Sequence, residues 1–359
     1  MDKKFAFESE EVSIAFYTLA GLGDAVIARK VFDAIIELAP DCVIDFYCVS
    51  PAHFSFAKAF YGDSKNLNRL INQEEYLANK EKYDLALYVG GCHVILFDWS
   101  NAQRLQAMAP KLWECLVKID IYNRQNVHAI GDWRLAVALR NMISARILNK
   151  DCYSFLSYDG ALPIHDDKIK LSFATEYKLS FERLKLGNYI TLYTDIAEKN
   201  KFNPKVKTWP VKYFVEYVAR MKKYLPQIEI VQCGGGDDVK IDNADRHFMG
   251  VDLELTKYIL ANSLLHVGCE GGLIHLATQL GTKCLTLFGP TDVHYYGYDR
   301  NINVVSEVCS PCMFLQGDGN LRTCMRGNKE PPCMLSITPR QVFEITRNYL
   351  NRLDLKNNA

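Results

Sequence analysis

Glu270-Gly271-Gly272-Leu273-Ile274-His275-Leu276-Ala277 stands between two apolar runs, 264–268 and 283–288. Each run is short and apolar enough for a buried strand, and the segment between them has helical spacing as far as Leu280. Strand, glycine turn, helix and strand make a βαβ unit, and such units build parallel sheets with helices on both faces. The glycines let the backbone turn tightly where the helix begins. A helix start leaves N–H groups unpaired and carries the positive end of the dipole, so it suits an anion. Glu270 and His275 flank that turn. Read as scaffold alone, they are a turn residue and a satisfied histidine on a helix face.

The same alternation extends in both directions. Residues 189–193 and 228–232 read as strands, the second ending at Gly234-Gly235-Gly236. Residues 211–224, 253–262 and 338–350 have helical spacing. Nearer the N-terminus, 13–19 reads as a strand that runs into Gly21-Leu22-Gly23-Asp24 and then a helix over 25–38. Strands follow at 43–49 and 84–89. Residues 111–148 look largely helical. The mixed stretch 151–170, with Pro163, is where the chain is expected to cross between domains. A length of 359 residues fits two domains of ordinary size. The expected division is 1–170, 171–345 and a tail over 346–359.

The loop at Gly21 repeats the device at Gly271, a glycine turn between strand and helix. It stops short of the full G-x-G-x-x-G fingerprint, which places a dinucleotide oxidoreductase low among the alternatives. As scaffold, it is a βα turn with Asp24 capping the helix. Two such turns in two α/β halves point to a ligand beyond the carboxyl ends of the strands.

Lys+Arg and Asp+Glu both number 42, so the formal net charge is zero. Nucleic-acid binding needs a basic surplus that this balance lacks. The charged start MDKKFAFESEE is unlike a secretory leader. The longest apolar-leaning runs, 12–23 and 85–97, fall short of the roughly 18 residues of a spanning helix. No basic amphipathic helix stands out in the sequence.

Of twelve cysteines, eight are scattered through mostly apolar segments, which fits a reducing cytoplasm. The others are Cys309, Cys312, Cys324 and Cys333, four thiols within 25 residues of a Gly/Pro/polar stretch. Four thiolates around one tetrahedral ion, zinc or a single iron, account for that clustering best. Such a closed shell is structural. Disulfides and free thiols are the alternatives.

These residues resemble glycosyltransferase family 9, the heptosyltransferases of bacterial envelope and adhesin glycosylation. Glu270-Gly271-Gly272-Leu273-Ile274-His275-Leu276-Ala277, continuing to Phe288-Gly289-Pro290-Thr291, resembles the family's Asp-small-Gly-x-x-His-Leu-Ala and Phe-Gly-Pro-Thr stretches, with Glu270 where the family usually has aspartate. Lys207-Thr208-Trp209-Pro210 resembles its K-x-W-P stretch. The loops at Cys233-Gly234-Gly235-Gly236 and Gly21-Leu22-Gly23-Asp24 also match. The likeness is strong over 207–291 and weak over 50–185.

The resemblance implies a GT-B fold, two Rossmann-like domains facing across a cleft, with a cysteine-rich loop near the C-terminus. It implies inverting transfer of a heptose from ADP-heptose to a hydroxyl of an envelope glycan or a protein. Asp24 is then the base and Lys207 the partner of the leaving diphosphate. Donor contacts are expected from Gly23, Thr191, Trp209, Gly235, Glu270, Gly271, Gly272 and His275. No catalytic metal is expected, and Asp237-Asp238 reads as loop or cap residues. The resemblance also implies a metal on the four clustered cysteines, iron in protein-directed members. Expected partners are the donor and an acceptor, without nucleic acid or stable membrane insertion; a homo-oligomer is compatible. A nucleotide-sugar epimerase and a non-catalytic, metal-held scaffold are the competing readings.

Overall fold

The computed structural model of the protein describes residues 11–19, 21–91, 94–126, 133–196, 206–315 and 323–357. The chain forms two compact units, Met1–Ser172 and Phe173–Ala359, each built around its own sheet.

The first unit runs β1 (Ser13–Thr18), α1 (Leu22–Leu38), β2 (Val43–Tyr47), α2 (Pro51–Tyr61), β3 (Leu67–Ile71), α3 (Gln73–Asn79), β4 (Leu85–Gly90) and β5 (Val94–Asp98). Four helices follow: α4 (Ala102–Met108), α5 (Pro110–Asn126), α6 (Trp133–Ile147) and α7 (Cys152–Leu156). The strands lie in the order β3-β2-β1-β4-β5. The first four are parallel, and β5 pairs antiparallel with β4. Gly91, at φ 56°, supplies the left-handed step that folds the apolar run 85–97 into these two strands. Phe16, Phe32, Phe46 and Tyr61 fill the space between the sheet and α1 and α2, with ring centroids 4.7–5.5 Å apart in the closest pairs. Offset and edge-on aromatic pairs of this kind hold a core beyond what area alone provides.

The second unit runs α8 (Glu176–Arg183), β6 (Tyr189–Tyr193), α9 (Val211–Tyr224), β7 (Glu229–Gly234), β8 (Arg246–Met249), α10 (Leu253–Ala261), β9 (His266–Cys269), α11 (Gly272–Gln279) and β10 (Cys284–Phe288). It closes with α12 (Val293–Tyr296), β11 (Ile302–Val305), α13 (Pro332–Ser336) and α14 (Pro339–Asn357). The order β11-β10-β9-β6-β7-β8 is parallel throughout. All five residues of β10 are buried, as expected where helices cover both faces.

Phe214, Tyr217, Val218 and Met221 put the apolar stripe of α9 at the spacing of one helix face. That stripe meets α14, where the hydroxyls of Tyr217 and Thr346 lie 3.1 Å apart. Residues 346–357, set apart from the sequence as a tail, therefore continue a packed helix, with Thr346 and Leu350 buried. The described elements give the α/β class expected. No described helix is long and apolar enough to cross a membrane.

Candidate donor site and cysteine segment

In the second sheet the chain leaves β6 toward β7 and β8, then returns to β9 on the other side of β6. The carboxyl ends of β6 and β9 therefore form a topological switch point, where open α/β sheets hold their ligands. Thr194-Asp195 follows β6 there, and Glu270-Gly271 follows β9. Lys207 arrives from the stretch before α9. Its neighbour Trp209 donates its backbone N–H to Cys269 Sγ at 3.1 Å and its indole N–H to the Ile337 carbonyl at 2.7 Å. Cys269 is the residue before Glu270, so this anchor fixes Lys207 beside the turn.

Lys207 Nζ lies 3.2 Å from Glu270 Oε2. The other carboxylate oxygen lies 3.4 Å from His275 Nε2. His275 Nδ1 is 2.7 Å from the Tyr298 hydroxyl. Burial opposes the charge on Glu270, but Lys207 and His275 outweigh it and hold the carboxyl down at about 2. Burial likewise opposes the charge on Lys207, and Glu270 and Asp195 together raise it above the ordinary lysine range. The result is a cation kept charged between two carboxylates, able to exchange a protein partner for an anionic ligand.

Gly271 lies against this cluster in extended backbone, φ 166°. A Cβ there would stand 3.7 Å from Asp195 Oδ2 and 3.9 Å from Lys207 Nζ, ordinary contact distances. Neither the backbone nor its neighbours therefore require glycine. Gly272 opens α11 immediately after it.

Thus Lys207, Glu270, Gly271, Gly272 and His275 come together. Thr191 and Trp209 do not join them. Thr191 is fully buried within β6, its hydroxyl 3.1 Å from Ser263 Oγ and 2.9 Å from His266 Nδ1. Trp209 is wholly enclosed in the core with Phe214 and Tyr217. Gly235 is exposed in the loop after β7, donating its N–H to Asp238 Oδ2 at 2.7 Å; Asp238 is the loop residue expected.

Two residues at the switch point escaped sequence reading. Asp195 holds a left-handed backbone, φ 54°, uncommon for a residue with a side chain. It accepts from the Tyr193 hydroxyl at 3.0 Å. Thr194 is buried, and its hydroxyl has no hydrogen-bond partner among the described residues. Only their position just past a strand end could have singled them out.

The first unit has its own switch point, between β1 and β4. Gly21 caps α1 without a side-chain bond, so Asp24 is not the cap but the third helical residue, in the first turn with Gly23. A Cβ at Gly21 would run into the Asp24 carboxylate. The carboxylate therefore folds back over the helix start. Behind it, His53 Nδ1 accepts from Val49 N at 3.3 Å, which leaves Nε2–H to donate to Thr18 Oγ1 at 3.1 Å.

Residues 193–317, most of the second unit, match the model of glycosyltransferase family 9 (heptosyltransferase). This match covers about a third of the chain and takes in the whole Lys207–Glu270–His275 cluster. The chain is accordingly a glycosyltransferase, similar over this stretch to family 9. No curated protein matches the chain.

Among solved structures, E. coli ADP-heptose lps heptosyltransferase II aligns at 14% identity and TM-score 0.57, over 97% of this chain and 100% of its own. The family 9 glycosyltransferase of Veillonella parvula aligns at 14% and 0.54, over 97% and 99%. The iron-containing dodecameric glycosyltransferase TibC of enterotoxigenic E. coli aligns at 11% and 0.55, over 96% and 77%. At such identities the likeness shows the fold, which is that of the GT-B heptosyltransferases.

The second unit also carries the clustered cysteines. Cys309, Cys312, Cys324 and Cys333 are free thiols lining one cavity of about 160 Å³. The cavity sits against the loop after β10. Cys312 N and Met313 N both donate to the Pro290 carbonyl at 2.9 Å, and Ser310 Oγ donates to Gly289 O. Gly289 has no room for a Cβ, because Met334 and Cys333 close over it. The four soft donors thus face one space. Among the described residues, however, no three groups from His, Cys, Asp and Glu stand in metal-holding positions. Part of the segment, 316–322, lies outside the described residues.

Proposed function

We propose that the protein is an inverting heptosyltransferase that moves the heptose of ADP-heptose to a hydroxyl of an envelope glycan or of a protein. The Lys207 ammonium, 3.2 Å from Glu270 at the start of α11, carries the reading. It is a largely buried, charged cation at a switch point, beside a glycine that neither backbone nor neighbours require. Close approach of a ligand to the backbone accounts for that glycine. The family description and the ADP-heptose named for two structural neighbours support the donor.

In this reaction the acceptor oxygen attacks the anomeric carbon as the bond to the diphosphate breaks. The bonding electron pair leaves with ADP, and the hydroxyl proton passes to Asp24. Lys207 and the N–H groups opening α11 meet the charge gained by the leaving diphosphate. Glu270 keeps His275 as its partner when Lys207 turns to phosphate.

The same reading places one structural ion, iron or zinc, on Cys309, Cys312, Cys324 and Cys333. Their softness and shared cavity fit it, and TibC is named as iron-containing. When bound, such an ion would cross-link the cysteine segment to α13. Metal analysis of the purified protein, with and without Cys324→Ser, tests this directly.

Thermal unfolding with ADP, ADP-heptose, GDP-mannose, UDP-glucose and UDP-N-acetylglucosamine tests the donor. A ligand at 100 times its Kd stabilises by about 2.7 kcal/mol. ADP and ADP-heptose are expected to shift the transition, the others not. A different nucleotide winning would overturn the sugar assignment. Binding by none of them would sink the catalytic reading.

A further inference from the structure

Phe16 on β1 is fully buried against Phe32 of α1, so Tyr17 beside it points to the other face of the first sheet. Tyr47 and Tyr88 stand in the same row. Tyr88 on β4 is the register partner of Tyr17, and Tyr47 on β2 follows Phe46, the partner of Phe16. The Tyr17 and Tyr88 rings are stacked with centroids 4.5 Å apart, and Tyr47 meets Tyr17 edge-on at 5.4 Å. Tyr76 of α3 stacks on Tyr47 at 5.2 Å, so α3 closes the β2 end of the row. Over β1 and β4 the row is part-exposed, whereas a parallel sheet is ordinarily covered on both faces. Tyr88 leans toward the carboxyl edge, since a Cβ at Gly90 would stand 3.2 Å from its ring. Among the described residues, Tyr17 and Tyr47 make ring contacts and no hydrogen bond through their hydroxyls. Burial, with Tyr76, Tyr88 and Tyr47 beside it, pushes the Tyr17 hydroxyl up to about 12, so it remains a donor at neutral pH.

We propose that this tyrosine row is an acceptor subsite and that it takes an uncharged sugar ring. Tyr17 lies one residue before the end of β1, at the edge from which the Gly21–Asp24 loop departs. Tyrosine offers an apolar ring to the C–H face of a sugar and a hydroxyl to its polar edge. Charge narrows the sugar. In the described loops that leave β1 to β4, the carboxylates are Asp24, Glu74 and Glu75, and no lysine or arginine stands among them. Arg69, opposite Asp45 in the register of β2 and β3, is paired with that carboxylate at 2.7 Å. A carboxylated or phosphorylated sugar would therefore meet acids where it needs cations. The inference rests on the transferase reading and narrows its acceptor.

The test is saturation-transfer NMR on the full chain. The probes are methyl α-glucoside, methyl α-mannoside, glucose 6-phosphate, glucuronate and a serine-containing peptide, with the ADP-induced thermal shift measured on the same samples. The methyl glycosides should receive saturation, and the anionic sugars and the peptide none. Tyr88→Leu, which keeps apolar volume, should remove the signal. Tyr17→Phe, which keeps the ring and loses the donor, should weaken binding about twofold to tenfold at unchanged melting temperature. Tyr224→Leu, at a site 51% exposed on α9 of the other unit, should retain the signal. An ADP shift without saturation of either glycoside would overturn the subsite alone, and loss of the ADP shift would sink the transferase reading beneath it. Preference for the anionic sugars or the peptide would also overturn the proposal, as would undiminished signal in folded Tyr88→Leu and Tyr17→Phe.

Discussion

The turn at Gly21 and the turn at Gly271 are the same device placed in two sheets. Each follows a strand at a switch point and opens a helix. They differ in what surrounds them. At Gly271 a lysine, two carboxylates and a histidine are wired together and largely buried, so the turn is a charged socket held in place before any ligand arrives. At Gly21 one carboxylate folds back over a half-open helix start. A socket suits the diphosphate, which must be held. A part-exposed acid suits a group that must take a proton and release it. The family match follows this contrast, covering 193–317 and leaving the first unit unmatched.

The contrast breaks most directly at Asp24. Asp24→Asn should lower turnover roughly 10²–10⁴-fold, the usual worth of a general base, while ADP still raises the melting temperature. A variant that transfers normally would remove the base from the first loop. Trp209→Ala comes next in size. Its ring is a fully buried anchor, so the substitution should cost about 3–5 kcal/mol of stability in denaturant titration. A variant that folded normally but lost the donor would return Trp209 to the binding surface.

Lys207→Met should cost about 10²–10³ in kcat, as loss of a partner to developing charge does. The matching change at Asp24 should leave nucleotide affinity alone. Acid sharpens the same point. The Glu270 carboxyl lies at about 2 in the folded protein against an ordinary 4.5. A depressed carboxyl stabilises fully above its unfolded pKa, and that contribution fades as pH falls from about 4.5 toward 2. Glu270→Gln should flatten this part of the stability profile, and an unchanged slope would show that the pair is not holding the charge.

The smallest effect separates the two glycines. Gly271→Ala should leave stability within about 0.5 kcal/mol, since its Cβ meets only ordinary contacts, yet weaken ADP in the thermal assay. Gly21→Ala should do the reverse, displacing the Asp24 carboxylate and slowing transfer with ADP binding intact.

Strand periodicity and glycine turns, both local in sequence, were enough to read two α/β halves and their parallel sheets, while Lys207, Glu270 and His275 were singled out by the family resemblance. Neither signal could separate a motif residue that touches ligand from one that holds the motif. Trp209 sits in a matching stretch and Thr191 on a strand expected to reach the donor, yet the tertiary structure sends one to the core and the other to Ser263 and His266. Asp195 and Thr194 carried no pattern at all, because their place depends on which strand lies beside β6. The rotation of α6 was equally hidden, since only packing shows that Ala138, Met142 and Ala145 face inward while Ile143 and Ile147 face out. The sequence by itself determined which segments become strands, helices and anion-ready turns, since those follow from side-chain period and backbone freedom. The tertiary structure alone decided which side chains meet, because strand order and helix rotation are set by contacts between residues far apart in the chain.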